Sequence, residues 1–208
     1  MTPQFWVFAI TALLLNLTPG NDMIYVMARS SSQGTRAGIL SALGIGLGCL
    51  VHIFAAMAGL SAIIAGSALA FNIIKLIGAV YLIYLGARSL FKRKKNLMTE
   101  KQLPRRSLKK IFWQGVWTNV LNPKVALFFL AFLPQFISPE KGHTALQILF
   151  LGTWFDAGGT LVNVLVAVLF GKIGAWISRS PSFVRWQEKI TGLILVSLGI
   201  KLALGSKK

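Results

Sequence analysis

Apolar residues run along the chain in long stretches that shorter polar segments separate. Six of these stretches reach the roughly 20 predominantly apolar residues that a helix needs to cross the hydrocarbon core of a bilayer. They are Phe5–Met27, Ala37–Ala65, Leu69–Phe91, Ile111–Ile137, Ala145–Phe170 and Phe183–Leu204. The first stretch has no basic segment before it, so we expect it to be retained as a span rather than cleaved as a signal peptide. The pattern predicts an all-α integral membrane protein with six transmembrane helices.

Composition agrees with a membrane protein and argues against a soluble enzyme. Hydrophobic residues make up 55% of the 208 residues, charged residues only 13%, and the mean hydropathy is +0.68. A soluble domain carries about 25% charged residues, so this chain has too little polar surface to cover a globule in water. Cys49 is the single cysteine, which excludes a disulfide framework, and with two histidines it makes too small a set for a structural zinc site.

The surplus of positive charge indicates membrane orientation. The chain carries 22 Lys and Arg residues against 5 Asp and Glu, a net charge of +17. In a soluble protein this would suggest a nucleic-acid partner, and we expect none here. Sixteen of the basic residues lie in or beside the loops after the first, third and fifth stretches, and four lie on the opposite side. Because Lys and Arg in short loops stay cytoplasmic, both termini are predicted to lie outside.

The two halves of the chain resemble each other in order and spacing. Three short motifs recur at offsets of 104, 111 and 113 residues: Leu17–Pro19 with Leu121–Pro123, Gly48–Ile53 with Gly159–Val164, and Leu85–Arg88 with Leu198–Lys201. Each half then holds three spans, an odd number, so the second half enters the membrane from the opposite side, as in many secondary transporters. We predict a first three-helix repeat at 1–91, a basic cytoplasmic linker at 92–110 and a second, inverted repeat at 111–208.

Prolines interrupt the first and fourth stretches near mid-depth. Pro19 lies 14 residues after Phe5, and Pro123 lies 12 residues after Ile111. These separations correspond to roughly 18 to 21 Å along a helix that rises about 1.5 Å per residue. Proline removes a backbone donor, and groups freed at that depth are tolerated only where protein or a water-filled cavity satisfies them. We therefore predict two broken helices that meet at a polar site near the bilayer midplane, where inverted-repeat transporters bind substrate.

The residues at the two breaks are the candidate substrate-binding residues. The exposed N-terminus of each second half-helix favours an anion, such as the carboxylate of an amino acid, and Lys124 adds a positive charge. The predicted set is Asn16, Thr18, Pro19, Gly20, Asn21, Asp22, Asn119, Asn122, Pro123 and Lys124. The alternative is structural: Asn21 or Asp22 caps its half-helix, and the prolines only shape packing.

Asp156 is the candidate proton-coupling residue. It lies 11 residues into the fifth stretch, about 16 Å deep by the same helical rise. Ionisable residues inside a membrane are costly and mark pathways for ions or substrates. A carboxyl at that depth can take up and release a proton during transport. Two alternatives stay open: a static ion pair between Asp156 and Lys124, and Asp22 as the residue that carries the proton.

His52 and Cys49 lie at a similar depth in the second stretch, with Asn163 and Thr160 as their counterparts in the second repeat. We expect His52 to make an interhelical hydrogen bond, because its counterpart is an amide. We expect Cys49 to pack as a small apolar residue.

Three motifs together resemble the LysE/RhtB family of amino acid exporters. They are Thr18-Pro19-Gly20 in the first span, Asn122-Pro123-Lys124 followed by Phe128-Phe129 in the fourth, and the segment GAVYLIYLG at Gly78–Gly86 in the third. The resemblance extends to the chain length, the six spans and the basic loop between the halves. Family members often carry Pro-Gly-Pro where this chain has Pro19-Gly20-Asn21, so the first break departs from the family pattern.

The resemblance implies export of an amino acid or a close derivative across the bacterial plasma (inner) membrane in exchange for protons. Because Asp22 and Asp156 are the only deep acids and Lys124 lies among them, a neutral substrate such as threonine, homoserine or leucine is favoured. No cofactor and no enzymatic activity are implied, and a homodimer is compatible with a transporter of this size. Two alternatives remain: a divalent metal-ion exporter of related architecture and a non-transporting membrane scaffold.

Overall fold

The computed structural model describes residues 3–60, 68–91, 104–177 and 181–204. Within these ranges the chain is helical, and its turns are short. The α-helices are α1 (Pro3–Leu17), α2 (Asn21–Gln33), α3 (Thr35–Ala55), α4 (Ala68–Phe91), α5 (Leu108–Val120), α6 (Pro123–Leu127), α7 (Thr144–Ile177) and α8 (Pro181–Leu204). Most of the predicted linker at 92–110 and the C-terminal lysines Lys207 and Lys208 lie outside the described residues.

Two helices are long and apolar enough to cross a membrane by themselves, at Thr35–Gly59 and Thr144–Lys172. Two further spans arise if each bent helix pair counts as one span, which gives up to four among the described residues. The pairs are Gln4–Leu17 with Asn21–Gln33, bent by 47°, and Leu108–Val120 with Pro123–Phe136, bent by 42°. The remaining predicted spans correspond to α4 and α8, each 24 residues long. An all-α membrane protein is thus confirmed, whereas six spans in two inverted repeats remain a prediction.

The two bends lie at the predicted prolines. The first half-helix ends at Leu17, just before Thr18-Pro19, and the second half begins at Asn21. In the other pair, Pro123 occupies the first turn of α6, a position where its missing N–H costs no hydrogen bond. Proline therefore breaks both helices as the sequence indicates.

Glycines allow α3 to pack directly against α5. A Cβ atom at Gly48 would lie 2.5 Å from Val116 O, and one at Gly115 would lie 2.6 Å from Ser41 O. Real Cβ atoms do not approach backbone oxygen so closely, so only glycine permits this contact. The close approach holds α3, from the first half of the chain, against the first half-helix of the second broken pair.

An irregular aromatic segment follows the second break. After α6 the chain continues as a π-helical turn at Phe128–Phe132 and a 3₁₀ turn at Leu133–Phe136. Phe128, Phe129 and Phe132 are almost completely buried there, in a core that α1 completes with Phe8. π-helical turns are rare and often lie at functional sites, and this one leads from the break toward the end of the molecule where α1 begins.

Candidate functional site

A small polar cavity lies where the two broken helices meet. Six of the predicted site residues line it, namely Asn16, Thr18, Asp22, Asn119, Lys124 and Asp156. Its volume is about 30 Å³, close to the share of one water molecule in liquid water. The structure therefore brings both deep carboxyls and Lys124 to one place. We call this space the central cavity.

Lys124 follows the second break in the sequence, and its side chain reaches the first break in the folded chain. Its Nζ donates hydrogen bonds to Leu15 O at 3.2 Å and to Thr18 O at 2.9 Å. Four residues after Leu15 stands Pro19, which has no N–H to offer that carbonyl. A cation at the C-terminal end of a helix also interacts favourably with the helix dipole. In the described part of the chain, Lys124 thus joins the two halves through backbone carbonyls rather than through a carboxylate.

Gly20 leaves the space that Lys124 occupies. A Cβ atom at this position would lie 3.2 Å from Lys124 Nζ, which is tighter than ordinary van der Waals contact. Gly20 is the N-cap residue of α2, with no side-chain cap hydrogen bond, and Asn21 is exposed. The alternative in which Asn21 or Asp22 caps this half-helix is therefore wrong for the described conformation.

The second break is capped by its own sequence. The side chain of Asn122 accepts a hydrogen bond from Lys124 N at 3.1 Å, and Pro123 follows as the first helical residue. An Asn cap followed by proline is a common helix start. The backbone donor of Lys124 is therefore used internally, so less of this helix terminus is available to an anion than the sequence suggested.

A buried hydrogen bond connects the two broken helices. Asn119 Nδ2 donates to Asp22 Oδ2 at 2.8 Å. Three buried polar atoms around this pair make no hydrogen bond of good geometry, namely Asp22 Oδ1, Asn119 Oδ1 and Asn122 Nδ2, although the amide of Asn122 lies close to the Asp22 carboxyl. Leaving such a group unpaired costs roughly 1–3 kcal/mol each. Their concentration in one place is typical of a site that accepts a polar ligand or water.

Asp156 faces the same cavity from α7. Thr160 Oγ1 donates to its Oδ1 at 3.4 Å, and the thiol of Cys49, from α3, lies within hydrogen-bonding reach. A third side chain of α7, Asn163, also lines the cavity. Asp156, Thr160 and Asn163 stand four and three residues apart, so they share one face of the helix.

Asn16 attaches the first half-helix to α7. Its Nδ2 donates to Phe155 O at 2.9 Å, and a Cβ atom at Gly159 would lie 2.9 Å from its Oδ1. Thr18 bonds within its own helix, because its Oγ1 donates to Leu14 O at 2.7 Å. Asn16 therefore positions α1 on α7. The hydroxyl of Thr18 lines the cavity with its own hydrogen bond already made.

The other predicted residues shape the breaks without lining the cavity: Pro19, Gly20, Asn21, Asn122 and Pro123. Sequence reasoning missed Cys49, Thr160 and Asn163 as lining residues. The helical spacing from Asp156 would have found Thr160 and Asn163. Cys49 packs as a small buried residue, as expected, and in addition faces the cavity.

His52 makes the expected interhelical contact. Its Nε2 is hydrogen-bonded to Asn119 O at 3.0 Å, and its ring stacks on Phe129 with centroids 6.1 Å apart. His52 therefore holds the backbone of Asn119, the residue whose side chain bonds to Asp22. Across the described residues, no group of three His, Cys, Asp or Glu side chains converges as metal ligands would.

A polar cluster closes the molecule on the side where α2 ends. Arg29 is 3% exposed. Its guanidinium donates to Gln33 Oε1 at 3.1 Å, to Gln114 Oε1 at 3.1 Å and to Pro104 O at 3.3 Å. These bonds join α2 to α5 and to the segment before it. From sequence, Arg29 counted only toward orientation, because nothing local reveals these distant partners.

Comparison with known proteins gives a consistent result over nearly the whole chain. The family model described as LysE type translocator matches residues 13–206. An uncharacterized membrane protein of Bacillus subtilis (strain 168), YrhP, is 33% identical over 93% of this chain and 95% of its own length. A protein described as leucine efflux protein, from Salmonella choleraesuis (strain SC-B67), is 27% identical over 96% and 94%. No solved structure matches the chain.

Proposed function

Because the chain belongs to the LysE type translocators, we propose that it exports a neutral amino acid across the bacterial plasma membrane in exchange for protons. As a member of that family it is a multi-pass membrane transporter rather than an enzyme. A relative described as a leucine efflux protein makes leucine the first substrate to test. Threonine and homoserine are the next candidates.

The proposed architecture is six spans in two inverted three-helix repeats, at 1–91 and 111–208. Two observations support it. The second helices of the two halves, α3 and α7, pack against each other, and so do the third helices, α4 and α8. A pseudo-two-fold axis in the membrane plane would generate both self-pairings and place the substrate site between the repeats.

The observation that carries the proposal is the set of charges in the central cavity. Two carboxyls, Asp22 and Asp156, and one ammonium group, Lys124, line a space between otherwise apolar helices. A zwitterionic amino acid carries the complementary charges. Its ammonium group would donate hydrogen bonds to Asp22 Oδ1 and Asn119 Oδ1, neither of which has a well-formed hydrogen bond in this conformation, and its carboxylate would lie beside Lys124.

The size of the cavity requires that the helices move during transport. A space of about 30 Å³ holds about one water molecule, far less than an amino acid needs. Substrate therefore enters only after the two halves part on one side, and leaves after they part on the other. This is alternating access around a midplane site.

Proton coupling is assigned to Asp156 in this proposal. Asp22 has a committed hydrogen bond from Asn119, whereas Asp156 has only a long hydroxyl contact at 3.4 Å and a neighbouring thiol. Asp156 is thus freer to change partners when it gains or loses a proton. Asp22 remains the alternative carrier.

Transport in proteoliposomes tests the function. Purified protein would be reconstituted, and labelled leucine, threonine, homoserine and lysine would be followed with and without an imposed pH gradient. We expect gradient-driven movement of a neutral amino acid. Asp156→Asn should abolish the gradient-driven component and keep leucine–leucine exchange.

Glu140→Gln is the matched control, because it removes the same charge from an exposed loop residue. If Asp156→Asn retained full gradient-driven transport, the coupling role would be wrong. If no amino acid moved with the wild-type protein, the metal-ion and scaffold alternatives would replace amino acid export.

A further inference from the structure

A second, larger cavity lies at the end of the molecule where α1 begins. Its volume is about 360 Å³, against about 30 Å³ for the central cavity. Phe5, Phe136 and Phe150 form its apolar walls, and Lys141 and His143 stand at its polar rim. We call it the outer cavity, because the predicted topology places this end of the helices outside.

A continuous column of aromatic rings separates the two cavities. Phe155 lines the central cavity, and Phe128 stacks on it with centroids 4.0 Å apart. Phe132 follows at 5.6 Å from Phe128, and Phe136, at 5.2 Å from Phe132, reaches the wall of the outer cavity. We call Phe128, Phe132 and Phe136 the aromatic column. Each ring of this series packs against the next, so the column forms an apolar barrier between the two spaces.

The column is built on backbone that can rearrange. Phe128 and Phe132 lie in the π-helical turn, and Phe136 ends the 3₁₀ turn that follows. Hydrogen bonds in such turns have poorer geometry than those of an α-helix, and irregular turns within helices often mark hinges. Phe8 of α1 contacts the column at both ends, 6.0 Å from Phe128 and 5.2 Å from Phe136. A movement of α1 would therefore displace the rings together.

The rim of the outer cavity is an ordered structure. Gln147 receives a hydrogen bond from Ser138 N at 2.9 Å and donates to Gly142 O at 2.8 Å, which holds the loop before α7 in place. This loop carries Lys141 beside the phenyl walls. A cation next to an apolar hollow suits a molecule with one carboxylate and one apolar side chain, such as a free neutral amino acid.

We propose that the outer cavity is a second amino acid site, the exit vestibule, and that the aromatic column is the gate between it and the central cavity. The identity of the ligand, an amino acid, rests on the proposed export function. The gate rests only on the packing of the aromatic rings. The amino acid would pass from the central cavity to the vestibule when the rings swing aside, and the polar cluster around Arg29 would keep the opposite end closed meanwhile.

Cys49 provides a native reporter for this gate. It is the single cysteine of the chain, it is 2% exposed, and it lines the central cavity. A membrane-impermeant thiol reagent would be added to either face of sealed vesicles, with a tag at the N-terminus identifying the face. Phe132→Ala should speed Cys49 modification from the tagged face by about tenfold or more, the change that about 1.4 kcal/mol of easier opening produces. Phe136→Ala is the second variant, since it removes a less buried ring of the same column.

Phe170→Ala is the matched control. Phe170 is a phenylalanine buried to 3% exposure in a separate cluster with Met23, Met27 and Val162. It should leave modification from the tagged face unchanged. Complete labelling after denaturation and a single elution peak would show that each variant is folded. Unchanged rates in both column variants, or equal acceleration from both faces, would overturn the gate.

The vestibule is tested in the Phe132→Ala background. Gln4 is an exposed residue that lines the outer cavity, so Gln4→Trp should partly fill the cavity and slow Cys49 modification again. Leucine added to the tagged face should slow it as well. If Gln4→Trp has no effect, the route does not pass through this cavity. If the column variants behave as expected and leucine neither protects Cys49 nor is transported, the gate stands and the proposed export of leucine fails.

Discussion

The two helix breaks look alike in sequence and are stabilised in different ways. At the second break, Asn122 caps the helix that begins at Pro123, so the chain satisfies its own backbone within three residues. At the first break, no side chain caps α2. Thr18 O obtains its partner from Lys124, more than 100 residues away, and Leu15 O accepts from Lys124 in addition to the local Thr18 N. The first break therefore depends on a cation from the second half of the chain. The helix that follows the second break is capped by its own sequence, and the first half reaches this break at Asn119, through His52 and Asp22.

This difference has a consequence for folding and for transport. The first break is fully hydrogen-bonded only once the second half is beside it, because Thr18 O takes its partner from Lys124 and an unpaired carbonyl is costly at this depth. The same lysine lines the central cavity. Any substrate carboxylate that attracts Lys124 would weaken the bonds that hold the first break, and this couples binding to movement of α1.

Lys124→Met should give the largest effect. The methionine keeps the aliphatic part of the side chain and removes the hydrogen bonds to Leu15 O and Thr18 O. Leu15 O keeps its bond from Thr18 N, whereas Thr18 O loses its partner, at a cost of about 1–3 kcal/mol. We expect thermal unfolding in detergent to begin more than about 5 °C lower, since 1 kcal/mol shifts the midpoint by about 2–4 °C in a chain of this size. Transport should also be lost.

Lys141→Met is the control for this variant, because Lys141 is exposed in the loop before α7. It should unfold like the wild type. An unchanged midpoint for Lys124→Met would mean that the first break does not need the second half, and the contrast between the breaks would disappear.

Asn122→Ala should give the next largest effect. Loss of an Asn cap costs about 0.5–2 kcal/mol, so the midpoint should fall by a few degrees. Asn122→Ser should recover most of the loss, because a serine hydroxyl can also accept from the backbone at this position. If serine were no better than alanine, the local cap would not be what stabilises the second break.

Gly20→Ala should give a smaller effect that depends on Lys124. The backbone of Gly20, at φ −152° and ψ −169°, is open to any residue, so a methyl group here acts mainly by pushing Lys124 Nζ from its 3.2 Å position. A double-mutant cycle of thermal midpoints with Lys124→Met measures this coupling. We expect the cost of Gly20→Ala to shrink in the methionine background. If Gly20→Ala lowered the midpoint equally in both backgrounds, glycine would be required here for its backbone conformation rather than for the space it leaves to Lys124.

Asn21→Ala should give the smallest effect. Asn21 is exposed and makes no cap hydrogen bond to α2, so the unfolding free energy should change by less than about 0.5 kcal/mol, as for most surface substitutions. A loss as large as that of Asn122→Ala would show that the first break is capped locally after all, and would make the two breaks equivalent.

The positions of the breaks and the depth of the charged residues follow from the chain alone. Proline lacks an N–H wherever it stands, so Pro19 and Pro123 interrupt their helices independently of context. The depth of Asp156 follows from counting residues along an apolar run, because the helical rise is constant. Its neighbours Thr160 and Asn163 were equally accessible to that count, since helical spacing alone places them on the same face.

Contacts between distant parts of the chain were decided only by the tertiary structure. The sequence assigned Lys124 to a substrate carboxylate or to an aspartate, yet packing brings Nζ to the carbonyl end of α1. The aromatic column likewise combines rings from α7 with those of the segment after α6. Local patterns determine where a helix begins, where it breaks and which residues share its polar face, because those properties depend on neighbours within a few residues. Which group satisfies a freed carbonyl depends on which helices lie beside it, and a single sequence carries no direct signal of that.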